Sequence, residues 1–198
     1  PVRENVFMLV GAGGNITVQV EPPKTLENHL DLFLAPRQGV LLVDTGLARV
    51  SDKVVAAIRG LSRGPVRYVL NTSVDAAHAG GNEGVVKAAK AAGSDETRTF
   101  ALGAVGPGGP TIFAHENVLE RMSSGTGQAA IPTAAWPTST FDPDKQLVFN
   151  GESIQIVHVP AAHTDGDTIV FFRRSDVISA GDIFVTDSYP IIDAEKGG

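Results

Sequence analysis

Short apolar runs alternate along this chain with segments of helical periodicity, and that alternation most narrows what it can fold into. "GVLLVDTG" (39–46) and "VRYVLNTS" (66–73) read as buried strands. Between them, "ARVSDKVVAAIRGLSR" sets Val50, Val54, Val55, Ile58 and Leu61 at helical spacing, with Ser51 as the expected cap. "NEGVVKAAKAAG" is a second helical segment, and "GPTIFAHENVLERMSSG" reads as a short strand leading into a helix. Buried strands interleaved with helices argue for a layered architecture rather than an all-β fold or a bundle.

The flanks agree. "VFMLV-GAGGN-ITVQV" predicts a hairpin around a glycine turn. Gly11, Gly13 and Gly14 are not a dinucleotide fingerprint, because Ile16 stands where the third glycine belongs and a strand follows. "LDLFLAP" is a further strand-like run closed by Pro36, and "GQAAIPTAAWPTSTFDPD" reads as an irregular connection holding Pro132, Pro137 and Pro143. "ESIQIVHVP", "DTIVFFRR" and "DVISAGDIFV" are the closing strands. With 198 residues and no repeat or linker, one domain over 1–198 is expected.

Composition excludes several functions. A net charge of −6 with no basic run argues against nucleic acid. No apolar run approaches the roughly 20 residues of a membrane span, so a soluble chain is expected. There is no cysteine, so any metal must be held by His, Asp or Glu. The chain begins with Pro1 rather than Met. Removal of a signal peptide would explain this, which favours a periplasmic or secreted location over a cytoplasmic one.

Four strand runs end in polar residues able to act as ligands if the fold gathers them: Asp44, the Ser73–His78 loop, His163 and Asp182. Asp165 and Asp167 follow His163 in a turn suited to orienting its ring. The remaining histidines read more simply. His29 is expected in a solvated loop, His115 at a helix start and His158 on one side of a strand. Trp136 is expected to cover a loop. A serine nucleophile at Ser73 with His78 lacks the G-x-S-x-G pattern and a clear orienting acid beyond Asp75.

In order, "GAGGNITV", "GVLLVDTG", "NTSVDAAHAGGN", "AHTDGDTIVFF" and "SAGDIFVTDSYPIIDAEKGG" resemble the metallo-β-lactamase superfamily over nearly the whole chain. The resemblance implies an α+β fold, an αββα four-layer sandwich with metal sites at one edge of its sheets. Laid on the family's first metal motif, His-x-His-x-Asp-His, Ser73 and Asp75 replace the two leading histidines and Ala77 the Asp, while His78 is kept. His163 matches a later histidine ligand, Asp182 the bridging carboxylate and Asp44 a structural Asp that supports the metal loop.

The metal residues implied are thus Asp75, His78, His163 and Asp182. They suit one Zn²⁺ ion or none per chain, with Mn²⁺ or Fe²⁺ also compatible. The activity implied is a metal-dependent hydrolase attacking an ester, thioester, lactone or lactam carbonyl of a small molecule through metal-bound water. A non-catalytic relative used for binding or assembly is the alternative. The family's last histidine ligand and its closing elements have no counterpart before Gly198. A longer natural chain, self-association or a completing chain segment is therefore expected.

Overall fold

A strand with alternate apolar residues must bury one face, and here two sheets bury theirs against each other. The computed structural model describes residues 1–11, 13–22, 39–92, 109–124, 131–186 and 188–198. The first sheet runs in the order β1 (Val6–Gly11), β2 (Gly14–Gln19), β3 (Val40–Val43), β4 (Val66–Leu70), β5 (Thr111–His115) and β6 (Ser139–Phe141). β1 to β3 pair antiparallel, and β3 to β6 pair parallel. The second sheet is an antiparallel meander of β7 (Asp144–Phe149), β8 (Glu152–His158), β9 (Thr168–Phe172) and β10 (Val177–Ser179).

Leu41, Val43, Leu70 and Phe113 of the first sheet meet Ile154, Ile156, Val170 and Phe172 of the second. On the first sheet's other face, Ile16, Val18, Leu42, Val69 and Ile112 pack on Val54 and Ile58 of α1 (Ser51–Leu61) and Val85 and Val86 of α3 (Asn82–Ala92). β3 is buried on both faces, which is why "VLLV" shows no alternation. A single turn, α2 (Ala76–Ala79), and a helix, α4 (Glu116–Ser124), sit at the ends of β4 and β5. The fold is α+β, as expected, and its described layers run helix, sheet, sheet. Among the described residues no helix packs on the second sheet's outer face, where Val148 and Ile178 are exposed.

Several expectations need correction. Ser51 is not the N-cap of the helix: Val50 holds that place, and the Ser51 amide and hydroxyl both donate to the Ala48 carbonyl, the amide closing a 3-10 turn. The proline-rich connection contains β6, three residues long and too short to show a period, and β7 follows it directly. "DIFV" is not strand: β10 ends at Ser179 and a 3-10 turn, Gly181–Ile183, follows. "LDLFLAP" and His29 lie outside the described residues. The hairpin is present, paired from Val6↔Gln19 to Gly11↔Gly14.

The parallel strands β3, β4 and β5 all end at one edge, and the β8–β9 connection (159–167) opens at that same edge. The Thr168 amide donates to the Thr72 carbonyl at 3.0 Å, tying the two sheets there. Gly81 lets the loop after β4 approach β3: its amide donates to the Gly46 carbonyl at 2.7 Å, and a Cβ there would collide with the Thr45 carbonyl oxygen.

Gly81→Ala is expected to destabilise by about 1–3 kcal/mol through forced backbone displacement. Gly60→Ala, in α1 with open space around it, should stabilise by about 0.5–1 kcal/mol. Urea denaturation of the two variants checks this; equal midpoints would deny the close approach.

Candidate metal centre

Asp44 ends β3 in the left-handed region, at φ +68°, a conformation Asp adopts more readily than most residues. Its carboxylate is buried and accepts three hydrogen bonds: the Thr72 amide (2.8 Å), the Thr72 hydroxyl (2.7 Å) and His78 Nδ1 (2.8 Å). His78, carried on α2 and only 3% exposed, places Nε2 at 2.9 Å from Asp182 Oδ2. Both ring nitrogens thus face carboxylates, the setting of an imidazolium. Burial alone would lower the His78 pKa, but Asp44 and Asp182 together outweigh it and the value is pushed up to about 11. In turn, the bond from His78 holds the Asp182 carboxyl below its ordinary range.

Beside this pair stands His163. Its Nε2 is 2.9 Å from Asp75 Oδ2 and 3.7 Å from Asp182 Oδ2, and its Nδ1 donates to the Ile191 carbonyl at 2.8 Å. Burial again pulls the pKa down, while Asp75 and the Ile191 carbonyl raise it, and the net direction is upward. The far oxygen of Asp75, Oδ1, accepts from Lys196 Nζ at 2.6 Å, and the same ammonium lies 2.8 Å from Asp193 Oδ2. Asp75 is held below its ordinary pKa: burial raises it, but Lys196 and His163 prevail.

Asp75, His163 and Asp182 offer three ligand atoms within 4.8 Å of one another. Two carboxylates and one imidazole meet the three-ligand requirement of an open site and suit Zn²⁺, Mn²⁺ or Fe²⁺. His78 touches this group through Asp182, orienting the carboxylate as outer partners do. The fold therefore brings all four sequence-derived residues together, but as a three-donor group and a histidine behind it.

Other expectations fare differently. Asp165 and Asp167 do not orient His163: Asp167 binds the Thr164 amide and hydroxyl, and Asp165 pairs with Arg121 at 2.6 Å. The Ser73 hydroxyl is within 3.4 Å of the Asp75 amide, while both nitrogens of His78 are taken by Asp44 and Asp182, so no Ser–His couple forms. Trp136 packs near Val74, Val118 and Met122 and donates to the Ile131 carbonyl, the covering role expected.

A second group, His115, Asp142 and His158, also has ligand atoms within 4.8 Å of one another. Its rings stack face to face, 3.6 Å apart and 13° from parallel. A metal must lie near the plane of each imidazole it binds, and nearly parallel planes do not meet within bonding reach. His115 instead starts α4, its Nδ1 accepting from the Asn117 amide at 3.3 Å, the helix-start role expected. A cavity of about 340 Å³ at the opposite edge, lined by Arg3, Glu4, Asn150, Glu152 and Arg174 among others, includes none of these residues.

Sequence reading missed Thr72, Ile191, Asp193 and Lys196. "NTS" and "DAEKGG" carry no spacing that announces them; only the fold sets them against Asp44, His163 and Asp75.

Residues 27–198 match the family model described as the metallo-beta-lactamase superfamily. No curated protein matches. Among solved structures, a metallo-beta-lactamase from Pontibacter korlensis is similar at TM-score 0.55 and 13% identity, covering 87% of this chain and 63% of its own. The metallo-beta-lactamase IND-7 gives TM-score 0.61 at 15% identity, covering 100% of this chain and 76% of its own. An inverting sec-alkylsulfatase from Pseudomonas sp. gives 0.58 at 13%, covering 88% of this chain and 29% of its own. The chain thus spans less than two thirds of the first of these, and the likenesses bear on the fold.

Asp44→Asn should cost about 3–5 kcal/mol at neutral pH, because it leaves buried His78 without its main counter-charge; chemical denaturation reads this directly. The pH dependence has a definite sign. A histidine whose folded pKa is raised contributes stability that is full below 6.5 and is lost as pH rises towards about 11. Metal-free protein should therefore lose stability as pH rises from about 6.5 towards about 11, by up to about 1.4 kcal/mol per unit from His78. A flat or rising profile, followed by denaturant midpoint, would contradict the imidazolium assignment.

Proposed function

This chain belongs to the metallo-beta-lactamase superfamily, and from its centre we propose that it is a hydrolase using one divalent metal ion held by Asp75, His163 and Asp182. The observation that carries this reading is the convergence of those three donors within 4.8 Å. A divalent ion bound there supplies Lewis acidity, polarising a carbonyl oxygen and easing the ionisation of water near neutral pH. The substrate class is a small ester, thioester, lactone or lactam.

The chain's own residues set the conditions for that chemistry. Asp44 fixes His78, and His78 Nε2 holds Asp182 Oδ2 in place, so the carboxylate is positioned before anything binds. The Ile191 carbonyl accepts a hydrogen bond from Nδ1–H of His163, which leaves Nε2 to face the donor group. Nε2 of His163 must give up its proton to act as a ligand. Asp75, already ionised beside Lys196, needs no such step.

A non-catalytic role is the second reading. It is favoured by one observation: each of these carboxylates already has a cationic partner without any added ion.

Elemental analysis after chelator-free purification should find at most one Zn, Mn or Fe ion per chain. Turnover of a p-nitrophenyl ester, an acyl thioester, a lactone and a cephalosporin should include one substrate lost on EDTA treatment, restored by metal and lost in Asp182→Asn. Two ions at full occupancy would overturn the three-donor centre. A chain with no metal and no turnover would be the non-catalytic relative.

A further inference from the structure

We propose that Lys196 is an internal cation of this centre, occupying one oxygen of Asp75 and weakening the hold of the site on its metal ion. The inference rests on the single-ion reading above and names a residue that neither the ligand motifs nor the superfamily match assigns.

The turn that carries Lys196 is built for this placement. Residues Ala194–Lys196 form a 3-10 turn; the Asp193 side chain accepts from the Lys196 amide at 3.2 Å, and Gly197 ends the turn in the left-handed region at φ +78°. Backbone bonds fasten the turn to the loop of His163. The Asp193 amide donates to the His163 carbonyl and the Asp165 amide to the Lys196 carbonyl, both at 2.9 Å. Arg121 pins Asp165 from α4. Lys196 is thus not a free surface lysine. Its ammonium sits 2.6 Å from Asp75 Oδ1 while Asp75 Oδ2 faces His163.

One carboxylate therefore serves two cations, one on each oxygen. The ammonium withdraws charge from a ligand and repels a divalent ion bound at the other oxygen. Asp193, paired with the same ammonium at 2.8 Å, offsets part of this. Lys196 is in this sense a positioning residue: it fixes the orientation of Asp75 at the expense of its donor strength.

Zinc titration calorimetry on the full chain tests the proposal, with the parent protein, Lys196→Met, Lys196→Gln and Lys196→Arg compared. Removing the charge in Met or Gln should tighten Zn²⁺ binding by about tenfold or more, while Arg should stay within about threefold of the parent. Gln keeps a hydrogen-bond donor for Asp75, so it reports on charge even if the Met variant fails to fold. The gain should vanish when Asp75→Ala is added to Lys196→Gln. Unchanged or weaker binding in Lys196→Gln, with the parent binding Zn²⁺, would overturn the proposal and leave the single-ion centre standing. No binding in any of the chains would remove that centre and this proposal together.

Discussion

The buried carboxylate of Asp44 is the constraint on which the rest of the centre depends. It stands at the end of a strand buried on both faces, so its position is fixed by the core. Three donors from the next segment converge on it, two from Thr72 and one from His78. That one residue ties β3, the loop after β4 and the turn α2 into a unit. Without it, His78 would lose the carboxylate that fixes Nδ1, on a four-residue helical turn too short to be stable alone. The left-handed backbone at Asp44 is a local cost of order 1 kcal/mol or more, offset by those three bonds.

Legibility in the sequence followed the physical origin of each feature. Elements with a strong local pattern were plain: α1 and α3 show their apolar stripes, and β8 and β9 stand out as runs of branched and aromatic residues. Elements defined by pairing alone were not. β6 is a three-residue edge strand flanked by Pro137 and Pro143, and its existence depends on β5 beside it. The same division runs through the site. Asp44, Asp75, His78, His163 and Asp182 stand out because the family motif, or a strand end, marks their positions. The carbonyl of Ile191 and the amine of Lys196 act across long separations in sequence, and no local pattern encodes such contacts. Asp165 was misjudged for a related reason: proximity to His163 in sequence suggested an orienting role, but Arg121 of α4 claims its carboxylate.

The two histidine clusters at this edge show that composition alone does not make a metal site. Both collect two imidazoles and carboxylates. In one, His78 and His163 point their ring edges at the same Asp182 oxygen. In the other, His115 and His158 lie face to face, and burial and the neighbouring charge hold the His115 pKa down. Edge-on rings direct their nitrogens at one carboxylate oxygen, whereas stacked rings present π faces to each other. The first arrangement gathers ring nitrogens and carboxylate oxygens; the second is packing around a helix start.

Charge supports the proposed single-ion reading of the first cluster over a two-ion one. Asp44, His78, Asp182, His163, Asp75, Lys196 and Asp193 form a continuous chain of ion pairs in which carboxylates and cations alternate. With both imidazoles protonated, four carboxylates face three cations and one negative charge remains. A divalent ion that displaces the Nε2 proton of His163 adds one net positive charge, and the centre becomes neutral. A second ion would have to displace the proton of His78 as well and would leave the centre positive. It would also need donors where Ser73 and Ala77 now stand, and these offer a neutral hydroxyl and a methyl group. In a half-buried setting an uncompensated charge is costly. The neutral Ser73 and Ala77 and the ammonium of Lys196 therefore favour the same proposed reading, a centre balanced for a single cation.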